Sequence, residues 1–287
     1  MICFFVSDLH GSEERYRKLF TAIEKERPEA VFIGGDLLPS GVASMMSSTN
    51  PYHRDFINDF LAREFSLLKD ILKDKYPAVF LILGNDDGRF YEASVMDIAT
   101  GGLWKYIHMR KISFKNFNIY GYSYVPPTPF RLKDWERYDA SRYTEPGCLS
   151  PEEGIYSIAV SEYETKYSTI QKDLNNLAGE DNLEKAIFLF HGPPYKTALD
   201  RADLDGKMID YIPVDTHIGS IAIKNFIEEK QPLITLHGHV HEAARITGSW
   251  KEKNGNTRSF TAAHDGPELS LIRLDPENPD RTTRELL

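Results

Sequence analysis

The chain has 287 residues, 41% of them hydrophobic and 27% charged with no long block of one sign, so it can bury a core and lacks a disordered composition. Its net charge of −9 repels a phosphate backbone at long range, which disfavours a nucleic-acid partner and leaves room only for a local basic pocket. Two cysteines, Cys3 in an apolar run and Cys148 in a polar loop, make a disulfide framework an unexpected outcome and fit a reducing compartment.

In chain order, Ile2–Val6 is a continuous apolar run, the pattern of a strand covered on both faces. Ser12–Glu26 follows with Tyr16, Leu19, Phe20 and Ile23 on one helical face, Ser12 placed to cap it and Pro28 to end it. Ala30–Ile33 is a second buried strand, closed by Gly34-Gly35, and a loop of small residues runs from Pro39 to Pro51. Asp55–Lys75 reads as a long amphipathic helix and Ala78–Leu83 as a third buried strand, closed by Gly84. The alternation predicts a parallel sheet with helical crossovers. Short strands are expected across 107–122, an irregular insertion or lid around 123–185 with a helix at Ser161–Leu177, and a buried strand at Ala186–Phe190. A polar loop at 195–216, a helix at Ser220–Glu229, a strand at Leu233–Leu236 and short antiparallel strands across 243–274 complete the expectation, without repeats.

Polar residues of one chemical kind stand at the ends of five of these strands: Asp8 with His10, Asp36, Asn85, His191, and His239 with His241. In open α/β sheets, ligands bind at the carboxyl ends of strands. Carboxylate, amide oxygen and imidazole together suit Mn, Fe, Zn or Co, whereas Ca or Mg sites use oxygens and structural zinc sites use cysteines. Asp8-Leu9-His10 and His239-Val240-His241 each put two ligands on one side of an extended segment. Of nine histidines, four stand at these strand ends and His237 adjoins them, a clustering that chance rarely produces. Taken singly, Asp8 and Asp36 read as caps or turn formers, Asn85-Asp86-Asp87-Gly88 as a turn, and His191 as a loop histidine. Taken together, the metal-site reading is favoured.

The series Asp8-Leu9-His10, Gly35-Asp36, Gly84-Asn85, His191 and Gly238-His239-Val240-His241 resembles the calcineurin-like metallophosphoesterase superfamily, in that family's order and across residues 8–241. The resemblance implies an α/β fold, a four-layer αββα sandwich of two mixed sheets, as a single domain. It also implies two adjacent metals, the first held by Asp8, His10, Asp36 and His241, the second by Asp36, Asn85, His191 and His239, with Asp36 bridging. Such a pair, with Mn favoured, acidifies a bridging water and clamps the phosphoryl oxygens during in-line attack, so no nucleophilic side chain is needed.

One motif departs from the family pattern. Many members read Gly-Asn-His-Asp/Glu where this chain reads Gly84-Asn85-Asp86-Asp87, which puts the usual acid role in doubt. Asp86 in that place favours a good leaving group or another acid, and His217, just before the helix at Ser220, is a candidate beside His53 and His237. For His237 packing is the favoured reading, and His108 and His264 read as structural or solvated. The aromatic-rich insertion (Phe130, Trp135, Tyr138, Tyr143, Tyr156, Tyr163, Tyr167) reads as packing before it reads as a substrate platform.

The sequence therefore leads to a phosphoesterase acting on phosphodiesters or small phosphorylated metabolites. A non-catalytic metal-binding scaffold on the same fold has the altered third motif as its support. A nuclease is a third reading, because DNA double-strand-break nucleases resemble the same family, and the acidic balance argues against it. The protein Ser/Thr phosphatase branch resembles Gly-Asp-x-Val-Asp-Arg-Gly at the second motif, unlike Gly35-Asp36-Leu37-Leu38-Pro39-Ser40-Gly41 here. No apolar stretch approaches the roughly 20 residues of a membrane span, and the apolar start is too short for a signal peptide, so the expected setting is cytoplasmic.

Overall fold

Apolar runs covered on both faces make strands, and the computed structural model, which describes residues 1–41 and 55–287, places them as that pattern predicts. The strands are β1 (Cys3–Val6), β2 (Ala30–Gly34), β3 (Ala78–Ile82), β4 (Lys105–Tyr106), β5 (Arg110–Phe114), β6 (Phe117–Tyr122) and β7 (Ala186–Phe190). They continue with β8 (Met208–Ile209), β9 (Ile212–Pro213), β10 (Ile234–His237), β11 (Lys251–Asn254), β12 (Thr257–Thr261), β13 (Ser270–Leu274) and β14 (Thr283–Leu286). The helices are α1 (Glu13–Glu26), α2 (Arg63–Leu72), α3 (Glu92–Thr100), α4 (Glu162–Tyr167), α5 (Ile170–Ala178), α6 (Ile221–Lys230) and α7 (Ala243–Thr247).

Among the described residues the strands form two six-stranded sheets and one small hairpin. The first sheet runs β14-β13-β1-β2-β3-β4, parallel from β1 to β4 and antiparallel at β13 and β14. The second runs β11-β12-β10-β7-β6-β5, parallel from β12 to β6 and antiparallel at its two edges. Side chains alternate across the inner strands, and both faces of β1, β2, β7 and β10 are buried. Phe5, Phe32, Phe80 and Ile82 point into one layer with Ile119, Ile187, Leu189, Ile234 and Leu236 of the facing sheet. Their neighbours Phe4, Val31, Ile33 and Leu81 point the other way, toward Leu19 and Ile23 of α1 and Phe65 and Leu68 of α2. Phe188 and Phe190 likewise face α6, stacking edge-on with Phe226 at 5.0 and 6.4 Å. The result is the expected four-layer αββα sandwich, with a core between the sheets and a second core beneath each helical layer.

Helix starts follow the capping residues. Ser12 accepts from the Arg15 N–H at 3.3 Å and Ser220 from the Ile223 N–H at 3.0 Å. Four stretches differ from the sequence expectation. The 55–75 helix opens with wider π-type turns over Phe56–Ala62, which bring Phe56, Ile57, Phe60 and Leu61 all inward. Helix α3 was not legible as a helix because Val95 is its one fully buried residue and the rest gives little apolar periodicity. The helix expected across 161–177 breaks at Ser168, and Thr169 caps a new one by accepting from Lys172 N–H at 3.2 Å. In the tail, α7 precedes the strands, β12 joins β10 in parallel, and β13 and β14 cross to the first sheet. Most of the small-residue loop, with His53, lies outside the described residues.

Candidate metal centre

The loops leaving β1 and β2 are tied to each other before any ligand is considered. The Asp8 N–H donates to Gly35 O at 3.0 Å and the His10 N–H to Asp36 O at 2.8 Å. Asp8, His10 and Asp36 take left-handed backbone conformations with φ of 57°, 45° and 50°, and His239 does so at 73°. The ligand pairs Asp8/His10 and His239/His241 therefore converge through left-handed turns and not, as expected from alternation, along an extended segment. Each such residue costs on the order of 1–3 kcal/mol and persists only where its surroundings hold it. Here the Arg15 guanidinium donates to Asp8 O at 2.8 Å. The buried Asp87 carboxylate accepts from the N–H groups of Leu37, Leu38 and Gly84 at 2.8–3.1 Å, locking the loop that carries Asp36 to the loop that carries Asn85. The motif glycines are explained by close approach: a Cβ on Gly84 would lie 2.4 Å from Asp36 Oδ1, and one on Gly238 2.6 Å from Asp8 Oδ2.

Donor atoms of Asp8, His10, Asp36 and His241 all lie within 4.8 Å of one another. His10 Nε2 and His241 Nε2 face each other at 3.1 Å, and His241 Nε2 stands 3.2 Å from Asp8 Oδ1. On the other side of Asp36, His191 Nε2 lies 3.4 Å from Asp36 Oδ2 and 3.0 Å from Asn85 Oδ1. The His239 ring sits 5.2 Å from the His191 ring, and the His239 backbone N–H donates to Asp8 Oδ1 at 2.9 Å. Asp36 thus stands between two groups of donors. The His191 Nδ1 lies 2.8 Å from Gly34 O, which fixes the tautomer with Nδ1–H and leaves Nε2 facing the site.

The electrostatics of this cluster call for positive charge. Burial drives His10 down, but the Asp86 carboxylate, with Asp36, Asp8 and Asp87, outweighs it and holds the imidazole at about 9. His191 is fully buried, which lowers it, yet Asp36 and Asp8 hold it too at about 9. Burial, with the His191 charge, presses His239 down to about 3. Burial opposes ionisation of Asp8 and Asp36, but the neighbouring histidines hold both below the usual carboxylate range. Burial and the Asp36 charge push Asp87 up to about 7. Two ring nitrogens at 3.1 Å need a proton or a cation between them. Carboxylate, imidazole and amide donors converging from separate loops fit divalent transition metals.

The motif order, the strand ends and this donor cluster all point one way, and a family model described as calcineurin-like phosphoesterase matches residues 3–243. The chain belongs to that family. A comparison with curated proteins gave no match. Among solved structures, TT1561 of Thermus thermophilus is similar at 16% identity and a TM-score of 0.52, covering 99% of this chain and 98% of that one. A dimetal phosphatase from Danio rerio is similar at 13% identity and a TM-score of 0.52, covering 100% of this chain and 95% of that one. At these identities the likeness is one of fold.

Within this calcineurin-like chain the remaining sequence candidates separate clearly. Asp86 lines the cavity and is held by three contacts: its Oδ2 lies 3.4 Å from His10 Nδ1, its Oδ1 accepts from Ser40 Oγ at 2.9 Å, and its backbone N–H donates to Asp36 Oδ1 at 2.8 Å. It orients a candidate ligand. His237 is fully buried, with its ring nitrogens 2.9 Å from Gly192 O and 2.8 Å from Thr235 Oγ1 and its face on Phe190, so it is a packing residue. His108 packs, partly buried, among Tyr122, Tyr124 and Trp135, and His264 pairs with Glu268. His217 opens onto the same cavity as His10, Asp36 and Asn85. Its Nδ1 lies 2.8 Å from Oδ1 of Asp200, a fully buried carboxylate that also accepts from the N–H groups of Lys196, Thr197 and Gly219. Sequence reasoning passed over Asp200 and gave Asp87 and Ser40 no role beyond their places in the motifs; an Asp in a polar loop carries no mark of what it holds.

The insertion is tied down by ion pairs inside it and to the neighbouring helices. Lys133 and Glu136 form a fully buried ion pair, with Lys133 also donating to Thr128 O at 2.8 Å and Glu136 accepting from Thr128 N–H at 2.7 Å. Arg137 binds Asp173 of α5 at 2.7 Å and Glu164 of α4 at 2.6 Å. Trp135 and Tyr138 are packed inside, as expected, whereas Phe130 and Tyr143 are exposed and line the cavity. Among the described residues no helix is long and apolar enough to cross a membrane.

Proposed function

We propose that the chain hydrolyses a phosphate ester, a phosphodiester or a small phosphorylated metabolite, with a pair of divalent metal ions, Mn favoured. The observation that carries this reading is the convergence of Asp8, His10, Asp36 and His241 within 4.8 Å, with His191 and Asn85 on the far side of Asp36. Asp8, His10, Asp36 and His241 would hold one ion, and Asp36, Asn85, His191 and His239 the other. When bound, such ions neutralise the phosphoryl oxygens and acidify the attacking water. The chain's own groups supply the rest. Gly34 O and Asp86 keep His191 and His10 in the tautomer and orientation a ligand needs. Asp87 and Arg15 hold the left-handed loops in place.

In hydrolysis the water oxygen forms a bond to phosphorus as the bond from phosphorus to the alcohol oxygen breaks, and the departing oxygen takes up a proton. His217 is our candidate for that proton's source. Asp200 receives its Nδ1–H, so a protonated ring presents Nε2–H toward the cavity. This would take over the task that the third motif leaves open, since Asp86 faces His10. The test is hydrolysis of a generic phosphodiester and a generic phosphomonoester side by side, with Mn2+ and with chelator. Metal-dependent turnover of either supports the reading and ranks diester against monoester. Metals bound with no turnover of any ester would move the protein to a binding scaffold.

A further inference from the structure

The candidate metal ligands His10, Asp36, Asn85, His239 and His241 line one part of a cavity of about 920 Å³ whose other walls are of a different character. Pro129, Phe130 and Tyr143 line it from the insertion, and Met208, Ile209 and Ile218 from the segment that follows β7. The β8–β9 hairpin reaches across: the Ile209 side chain packs where a Cβ on Gly147 would stand, so hairpin and insertion touch and roof the cavity. The apolar lining then runs out of the mouth. Phe130 is 65% exposed and Met208 54%. Large apolar groups left in water beside a built cavity mark a surface meant to be covered.

Charge separates the possible occupants. Lys207 is the one Lys or Arg among the described lining residues, whereas Asp139, Glu145, Asp215 and Glu242 all line the same space. Additional phosphates would meet carboxylates with few cations to offset them, and a polynucleotide needs a cation for each phosphate it neutralises. We propose that the substrate is an amphiphile: a phosphate ester with its phosphoryl group at the metal cluster and a long apolar chain laid through the cavity and out under the hairpin. This rests on the phosphoesterase reading above and deepens it.

The test uses the full chain reloaded with Mn2+ and two series below their micelle-forming concentrations. One is ethyl, hexyl and decyl p-nitrophenyl phosphate, read as p-nitrophenolate; the other is ethyl, hexyl and decyl phosphate, read as inorganic phosphate. KM should fall at least about tenfold from ethyl to decyl in whichever series turns over, the gain expected from burying as few as two methylenes. The exposed-site variants Phe130→Ser and Met208→Ser should flatten that profile. A flat or rising KM profile with metal-dependent turnover of the ethyl ester retained overturns the amphiphile and leaves the hydrolase standing. A preference for a nucleoside triphosphate or an oligonucleotide over the decyl esters also overturns it. Loss of metal-dependent turnover on every ester overturns both.

Discussion

Replacing Asp86 by Asn isolates what that residue does in place of the histidine usual at this position. Asp86 Oδ2 lies 3.4 Å from His10 Nδ1, and among the groups that raise the His10 pKa its carboxylate acts most strongly. Asparagine keeps the size and still accepts from Ser40, but it removes the negative charge that orients the ring and makes Nε2 a better donor. Outer partners of ligating histidines are worth about 10- to 100-fold in metal affinity, or about 1.4–2.8 kcal/mol. On the proposed two-ion site, the loss should fall on the ion that His10 would hold and leave the one that His191 would hold, because Asp86 touches Asp36 only through its backbone N–H. Calorimetric titration of the chelated protein with Mn2+ reads this directly: one binding step weakened, one preserved. Unchanged affinity in both steps would refute the orienting role, and loss of both would mean that the substitution had moved Asp36.

Four further outcomes are expected, the last given at the end. His217→Ala and Asp200→Asn should each lower kcat by about 100- to 10,000-fold on alkyl esters and by much less on p-nitrophenyl esters, with metal content intact; equal losses on both leaving groups would remove the acid role. In the metal-free chain His10 and His191 hold protons up to about 9, so metal binding below that pH must displace them. Affinity should therefore climb with pH and level off above about 9, with proton release visible in buffers of different ionisation enthalpy; pH-independent binding would contradict this. Glu136→Gln leaves the Lys133 ammonium buried without its counter-charge and should destabilise the fold by about 3–5 kcal/mol in denaturant unfolding; a change below about 1 kcal/mol would mean that water reaches Lys133.

The strands were legible because both sheet faces are covered, so Cys3–Val6, Ala30–Gly34 and Ala186–Phe190 are uninterrupted apolar runs. The ligand candidates were legible because each follows such a run at a loop where a neighbouring Gly permits close approach. What stayed hidden depends on contacts between distant segments. Asp87 gathers N–H groups from the loop that carries Asp36, and Asp200 reaches His217 across its own loop, neither of which leaves a local pattern. Phe130 and Tyr143 have the same composition signature as the packed Trp135 and Tyr138, and only the fold separates them. The two sheet assignments of the tail were unreadable for the same reason, since β12 and β13 follow one another yet join opposite sheets.

The most direct test of the central claim is a titration of the chelated protein with Mn2+, reading bound metal and ester hydrolysis at each step. The prediction is that turnover rises with loading and reaches its plateau at two ions per chain, and that Asp36→Ala abolishes both the paired binding and the turnover while its thermal unfolding remains cooperative. Hydrolysis that is indifferent to chelator, or near-normal turnover in the Asp36 variant, would contradict it.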